Sequence, residues 1–334
     1  MEIVRWGLLS TANINRRLIP AIRASQRGRL VAVASRRQAA ADAYAAEWGI
    51  PRAFGSYEAM LASGEIDAVY IGLPNHLHAE WTVRALEHGL HVLCEKPFAV
   101  TLAEVDRMLD AARDNGRVLA EAFMYRHHPQ TTIAGEWVRS GRLGDISVMR
   151  GVFNFAMSKR DNIRLVPEWG GGSLWDVGIY PLSLAQYFVG GPPVWVFGDR
   201  WIGPSGVDES FTGILHYGND VMAQISSAFR TPWYTHFDVM GTKGRLIMTR
   251  PFTGLDGDER RLTFVDERDV VQELDVPEQE LYAGEVEDMH DAILTGRPQL
   301  IGHNETRDHV RTVLALYESM RRGERVYVEE ISSG

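Results

Sequence analysis

Two short strings in this chain of 334 residues carry side chains able to hold an oxygen and move a proton. The first is Glu95-Lys96-Pro97. A lysine before proline is held extended or in a turn, outside any helix. An ammonium so placed can polarise or protonate an oxygen, although the same string also reads as a surface turn. The second is Gly170-Gly171-Gly172-Ser173-Leu174-Trp175-Asp176-Val177-Gly178-Ile179-Tyr180. Asp176 and Tyr180 are four apart and share one face of a helix, where a carboxylate beside a phenol makes a proton relay. The alternative is a core tyrosine and a polar first-turn aspartate. The three glycines allow either close approach of a ligand or a tight entry turn.

A second group of residues has the types a dinucleotide needs. The first strand-like run leads into Ser10-Thr11-Ala12-Asn13-Ile14. A pyrophosphate-binding turn requires small residues so that backbone N–H groups can approach the phosphates at a helix N-terminus. The usual GxGxxG would place its glycines at Ser10, Ala12 and Asn15, none of which is glycine; an ordinary strand-to-helix turn fits as well. The second strand ends in Ser35-Arg36-Arg37. A carboxylate at that place bonds a ribose diol, whereas arginine suits a 2′-phosphate, so these residues favour NADP over NAD. Their alternative is a solvated basic pair. Later apolar runs end in Leu73-Pro74-Asn75-His76-Leu77-His78 and in Glu95-Lys96, the strand ends at which open α/β sheets bind ligands.

The elements that would position these residues follow from periodicity. β-rich runs at 3–9, 30–34, 68–71, 91–94 and 118–120 alternate with helical patterns at 12–24, 39–48, 57–62, 78–88 and 102–115, which makes βαβ units. Thr101 with Glu104 forms a capping box, and Gly116 is placed to end that helix. This predicts an α/β fold: a Rossmann, doubly wound parallel-sheet domain over 1–122. From 123 to 334 the pattern changes. Helices are expected at 130–140, 174–188, 280–294 and 305–322, with strands at 147–156, 194–202, 210–217, 221–228, 234–241, 244–248, 261–265 and 270–274. Turns such as Gly218-Asn219-Asp220 and Gly241-Thr242-Lys243-Gly244 are too short for crossovers, so neighbours pair as antiparallel hairpins. The second domain is read as α+β on a large, mostly antiparallel sheet. Its uncovered face is expected to join subunits.

Composition bounds the function classes. Apolar residues make up 45% and charged residues 24% of the chain, the balance of a globular protein. The net charge of −9 argues against nucleic acid as partner. One cysteine, Cys94, allows no internal disulfide, and its apolar strand suggests packing. Paired histidines occur at His76/His78, His88/His91 and His127/His128, but no HExxH or thiolate cluster accompanies them, so no metal is expected. The N-terminal MEIVRWGLLS lacks a basic stretch before a long apolar run, and no run approaches ~18 apolar residues. A cytoplasmic protein without a membrane segment is expected.

Taken in order, Gly7–Ile14, Pro74-Asn75-His76 with His78, Glu95-Lys96-Pro97, Glu121-Ala122-Phe123-Met124-Tyr125-Arg126 with Pro129, and Gly171-Gly172…Asp176…Gly178-Ile179-Tyr180 resemble the glucose–fructose oxidoreductase / inositol dehydrogenase / rhizopine-catabolism family of NAD(P)-dependent oxidoreductases. The resemblance spans essentially the whole chain and is nearest the branch of sugar dehydrogenases and dimeric dihydrodiol dehydrogenases. It implies that Lys96 binds the reacting oxygen and that the Lys96–Pro97 bond is cis. It further implies that Glu95, Asn75 and His76 lie at the nicotinamide ribose, with Leu73 and His78 also on the cofactor. Tyr180 would be the acid/base, with Asp176 orienting substrate or phenol and Arg126 and Trp169 touching substrate. The glycine-poor turn departs from the family pattern and puts cofactor affinity in doubt. The implied activity is NADP-dependent hydride transfer to or from a cyclic sugar or polyol, an aldose at its anomeric carbon foremost. The alternatives are a ketosugar reductase (nucleotide-linked sugars included), a trans-dihydrodiol dehydrogenase and, from another class, a non-catalytic NADP-sensing regulator. A homodimer or homotetramer through the C-terminal sheet is expected.

Overall fold

The computed structural model describes residues 3–159, 161–253 and 260–333. The chain divides into two compact units. One comprises residues up to His127 together with Tyr282–Thr306; the other comprises His128–Leu281 and the chain from Arg307.

In the first unit the elements run β1 (Val4–Leu9), α1 (Asn15–Ala24), β2 (Gly28–Ala34), α2 (Gln38–Trp48), β3 (Arg52–Phe54), α3 (Tyr57–Leu61), β4 (Ala68–Ile71), α4 (His78–Glu87), β5 (His91–Glu95), α5 (Leu102–Asn115) and β6 (Leu119–Ala122). The six strands are parallel in the order β3-β2-β1-β4-β5-β6, the dinucleotide-fold order, with its switch point between β1 and β4. Every residue of β4 is buried, as a strand covered on both faces must be. Thr101 and Glu104 form both bonds of the capping box, and Gly116 ends α5 in the left-handed region at φ 60°. The three-residue β3 went unpredicted, being too short to show a period.

The remaining elements are α6 (Pro129–Arg139), β7 (Ile146–Asn154), α7 (Ile179–Val189), β8 (Trp195–Ile202), β9 (Asp208–His216), β10 (Met222–Ala228), β11 (Tyr234–Gly241), β12 (Gly244–Thr249), β13 (Leu262–Asp266), β14 (Val271–Leu274), α8 (Ala283–Thr295), α9 (His303–Arg322) and β15 (Val326–Tyr327). Nine strands form the second unit's sheet in the order β14-β13-β12-β11-β7-β10-β9-β8-β15. All of its pairings are antiparallel except β7 with β10. Helix α7 covers β7 closely: a Cβ on Gly151 would stand 2.5 Å from Pro181 Cβ. On the opposite face, cross-strand neighbours bring together Phe197 and Ile214, and Trp195 with His216 beside Met222. Phe197, Ile214, Met222 and Trp201 are all exposed.

Two expectations are corrected. Assigning all of 123–334 to the second domain differs from the observed division, because Tyr282–Thr306 belongs with the first unit. There α8 is tied to the strand and loop at the start of the chain. Trp6 Nε1 donates to His290 Nε2 at 2.9 Å, and Arg27 Nε donates to Glu287 Oε2 at 3.0 Å. The helix expected over 174–188 is present but not α throughout: Leu174–Gly178 is a widened π turn, in which the Ile179 N–H donates to Leu174 O, and it runs directly into α7. Pro181 supplies the reason, since it has no N–H for Val177 O and its ring crowds that carbonyl. Among the described residues no helix is long and apolar enough to cross a membrane.

Candidate functional site

In the first unit the expected site residues gather at the C-terminal ends of β1, β2, β4 and β5. After β1, Ser10 adopts φ 139°, a conformation that glycine takes freely and other residues rarely do. It is held there by its own bonds. Ser10 Oγ accepts from Ala12 N at 3.2 Å and donates to Gly72 O at 3.3 Å, while Asn15 Nδ2 donates to Ser10 O at 2.8 Å. The turn thus keeps the glycine geometry without the glycine. Space is tight, since a Cβ on Gly72 would come 2.9 Å from Ile14 Cγ2. Thr11, Ala12, Asn13 and Ile14 precede α1, whose N-terminus no side chain caps. Its first amides close this turn instead, Asn15 N, Arg16 N and Arg17 N donating to Ala12 O, Asn13 O and Ile14 O at 3.2, 3.2 and 2.9 Å.

At the end of β2, Ser35 N donates to Phe54 O at 2.9 Å, and the Arg36 and Arg37 side chains stand in solvent. At the end of β5, the Lys96–Pro97 peptide is cis, and Glu95 Oε1 accepts a hydrogen bond from Tyr70 OH. Burial, reinforced by the Glu95 carboxylate, pushes the Tyr70 phenol well up, so Tyr70 stays a donor and fixes one carboxylate oxygen. Burial likewise pushes the Cys94 thiol up, which leaves it a packing residue.

Two expected ligand contacts are relocated. His78 is 0% exposed, with Nδ1 2.8 Å from Pro97 O and Nε2 2.8 Å from Leu73 O. Both ring nitrogens are engaged by backbone, so His78 braces the loops carrying Asn75, His76 and Lys96 instead of facing a cofactor. Burial holds its pKa below the ordinary imidazole value. Arg126 is 2% exposed, and its Nη1 donates to Glu305 Oε1 at 2.5 Å. Its guanidinium is a buried strut inside the first unit, not a group presented to a substrate. Leu73 is buried and contributes backbone only.

In the second unit the three glycines serve the entry turn. A Cβ on Gly171 would lie 2.7 Å from both Arg164 O and Val166 O, and Gly172 N donates to Arg164 O at 2.9 Å. The same doubling-back brings Arg164 Nε to Asp176 Oδ2 at 2.6 Å. Trp169 lies on this loop and is exposed. Tyr180 packs its ring against Phe153 and Phe252, with centroids 5.3 and 5.7 Å apart. Arg164 and Tyr70 escaped the sequence reading, because an isolated arginine and a strand tyrosine carry no pattern until the fold supplies their partners.

The comparisons agree with this architecture. Residues 4–123 match the model described as the oxidoreductase family, NAD-binding Rossmann fold, and residues 132–247 match the GFO/IDH/MocA C-terminal domain. The NADP-dependent D-xylose 1-dehydrogenase 2 of Haloferax volcanii is 40% identical, over 97% of this chain and 99% of that protein. The chain belongs to the Gfo/Idh/MocA family of oxidoreductases. Another member, the dTDP-3,4-didehydro-2,6-dideoxy-α-D-glucose 3-reductase of Saccharopolyspora spinosa, is 33% identical over 82% of each protein. Among solved structures, the 3-ketoreductase of Actinomadura kijaniata with NADP and TDP-benzene superposes at TM-score 0.89, with 29% identity over 95% of this chain and 98% of that one. The aldose–aldose oxidoreductase of Caulobacter crescentus gives 0.90 with 26% identity over 98% and 100%. The family assignment accounts for the parallel sheet and the large antiparallel sheet together.

Proposed function

We propose that the chain is an NADP-dependent dehydrogenase that transfers a hydride between nicotinamide and a carbinol carbon of a cyclic sugar, with a xylose-type aldose oxidised at its anomeric carbon as the leading substrate. The observation that carries this is the near full-length 40% identity to the NADP-dependent D-xylose 1-dehydrogenase, set beside a strand-end constellation that fits the cofactor. Ser10–Ile14 would hold the pyrophosphate, Arg36 and Arg37 the 2′-phosphate, and Asn75, His76 and Glu95 the nicotinamide ribose. When bound, the nicotinamide supplies or accepts the hydride.

The chain's own residues have the proton and the charge to manage. Oxidising a carbinol requires its hydroxyl proton to leave, and Tyr180 is the group proposed to take it and, in reverse, to return it to the oxygen. Lys96 supplies a positive charge to that oxygen, and Asp176, held by Arg164, orients a substrate hydroxyl. In support, the Actinomadura 3-ketoreductase has also been solved with one lysine and with one tyrosine replaced. These stand at the same separation along that chain as Lys96 and Tyr180 here. Reduction of a ketosugar is the second reading, favoured by the dTDP-ketosugar 3-reductases among the relatives. The test is NADP reduction followed with D-xylose, D-glucose and a trans-dihydrodiol. A signal with an aldose supports the first reading; silence with cofactor still bound moves the assignment to the reductase.

The same reading places the enzyme in the cytoplasm, where nicotinamide pools are drawn on. It also makes the open sheet face, with Phe197, Trp201, Ile214 and Met222 exposed, the contact of a homodimer or homotetramer, since apolar patches of this kind mark interfaces. Light scattering is expected to give a multiple of the chain mass. A monomer at micromolar concentration would remove the interface.

A further inference from the structure

The segment bearing Asp176 and Tyr180 is anchored by a residue with no part in the chemistry above. Asp208, the first residue of β9, is 1% exposed and accepts three hydrogen bonds. Tyr317 OH donates to Oδ1 at 2.7 Å; Ser173 Oγ and the Leu174 N–H donate to Oδ2 at 3.0 and 2.8 Å. Leu174 opens the π turn, so its amide is one of the orphan donors of a helix start. Ser173 occupies the N-cap position yet makes no cap bond of its own; its hydroxyl is given to Asp208 and lies 3.0 Å from Ser227 Oγ. The cap comes instead from another strand. Gly172 leaves room for it: at φ 124°, a Cβ there would stand 2.1 Å from Asp208 Oδ1. Burial raises the Asp208 pKa against the pull of its three donors, while Tyr317, pushed well up by burial and by Asp208, stays a donor.

We propose that Asp208 is a positioning residue: by capping the turn Leu174–Gly178 from β9 it sets where Asp176 and Tyr180 stand, and so governs the proton-transfer rate more than the binding of cofactor or sugar. The proposal rests on the reading of Tyr180 as the acid/base. A small displacement of a reacting group can cost on the order of 10²-fold, whereas the first unit, where the dinucleotide would bind, does not include this network.

The test uses Asp208→Asn, Tyr317→Phe, Tyr180→Phe and the double variant Asp208→Asn/Tyr180→Phe in the full-length enzyme. Asparagine keeps the shape but leaves one acceptor oxygen for donors that use both. Expected for Asp208→Asn are a kcat loss of about 10- to 100-fold, KM for the sugar and Kd for NADPH within about threefold, and a displaced pH profile of kcat. The double variant should be no slower than Tyr180→Phe alone, because groups acting as a unit are non-additive. Hydrogen exchange over 173–180 should quicken in Asp208→Asn, a readout that needs no substrate. Wild-type kcat and pH profile with only a lower Tm would overturn the proposal, as would unchanged exchange over 173–180. If Asp208→Asn does not fold, Tyr317→Phe decides in its place: a several-fold lower kcat at unchanged KM supports the proposal, and unchanged kcat defeats it. Near-normal turnover of Tyr180→Phe defeats the acid/base reading instead, so the two failures are distinguishable.

Discussion

Tyr180→Phe is expected to lower turnover by about 10²-fold or more, the range over which a positioned acid or base contributes. The substitution removes one oxygen and keeps the ring that packs on Phe153 and Phe252, so the loss should fall on kcat with the fold intact. Lys96→Ala should cost a similar factor. Its loss leaves the developing alkoxide without a neighbouring cation, and a charge that strengthens as the transition state forms acts on rate above all. Steady-state kinetics with NADP and the aldose measure both. Near-normal turnover in the two variants would contradict the assignment of this chemistry to Lys96 and Tyr180.

The second large effect concerns the cofactor. A triple variant, Ser35→Asp with Arg36→Ala and Arg37→Ala, is expected to weaken NADP binding by about 10²-fold. Hydrogen bonds to a charged group contribute about 1.5–3 kcal/mol each, and about 1.4 kcal/mol corresponds to a factor of ten. NAD, which lacks the 2′-phosphate, should change by less than about tenfold, because a carboxylate at position 35 offers its ribose diol a contact. Tryptophan fluorescence titration with each dinucleotide provides the comparison. Equal losses would show that these residues do not read the 2′-phosphate. The expectation draws on their place at the exit of β2, with both guanidiniums in solvent and, among the described residues, no ion pair to compete for them.

What could be read in the sequence was whatever is decided locally. The buried runs of β4 and β5, the capping box at Thr101, the left-handed Gly116 and the hairpin at Gly241–Gly244 each depend on residues a few positions apart, and each lies where expected. The membership of α8 in the first unit could not be read, because it rests on Trp6 with His290 and Arg27 with Glu287, pairs more than half the chain apart. The parallel pairing of β7 with β10 is also non-local, its partners such as Val148 and Met222 lying on strands that are not neighbours in sequence. The π turn does have a local sign in Pro181, which lacks the N–H that Val177 O would accept.

The same division holds at the site. Residue types pointed to the strand ends and to the Asp176–Tyr180 segment. They could not show that the His78 ring turns inward onto two carbonyls or that Arg126 is spent on Glu305. Nor could they reveal Arg164 beside Asp176, or Asp208 beneath the turn. A polar side chain's role is set by the partner the fold delivers, and those partners lie on other elements. Ser10 is the instructive middle case: the missing glycine was legible, while the bonds that hold serine at positive φ were not.

The most direct test follows the hydride itself. D-Xylose carrying deuterium at C1 is incubated with NADP and the enzyme, and the reduced cofactor is analysed by mass spectrometry. Direct transfer from the anomeric carbon predicts NADPH one mass unit heavier, formed about 10²-fold more slowly when Lys96 or Tyr180 is replaced. Reduced cofactor without the label, or none formed from any aldose offered while NADP still binds, would contradict the dehydrogenase account.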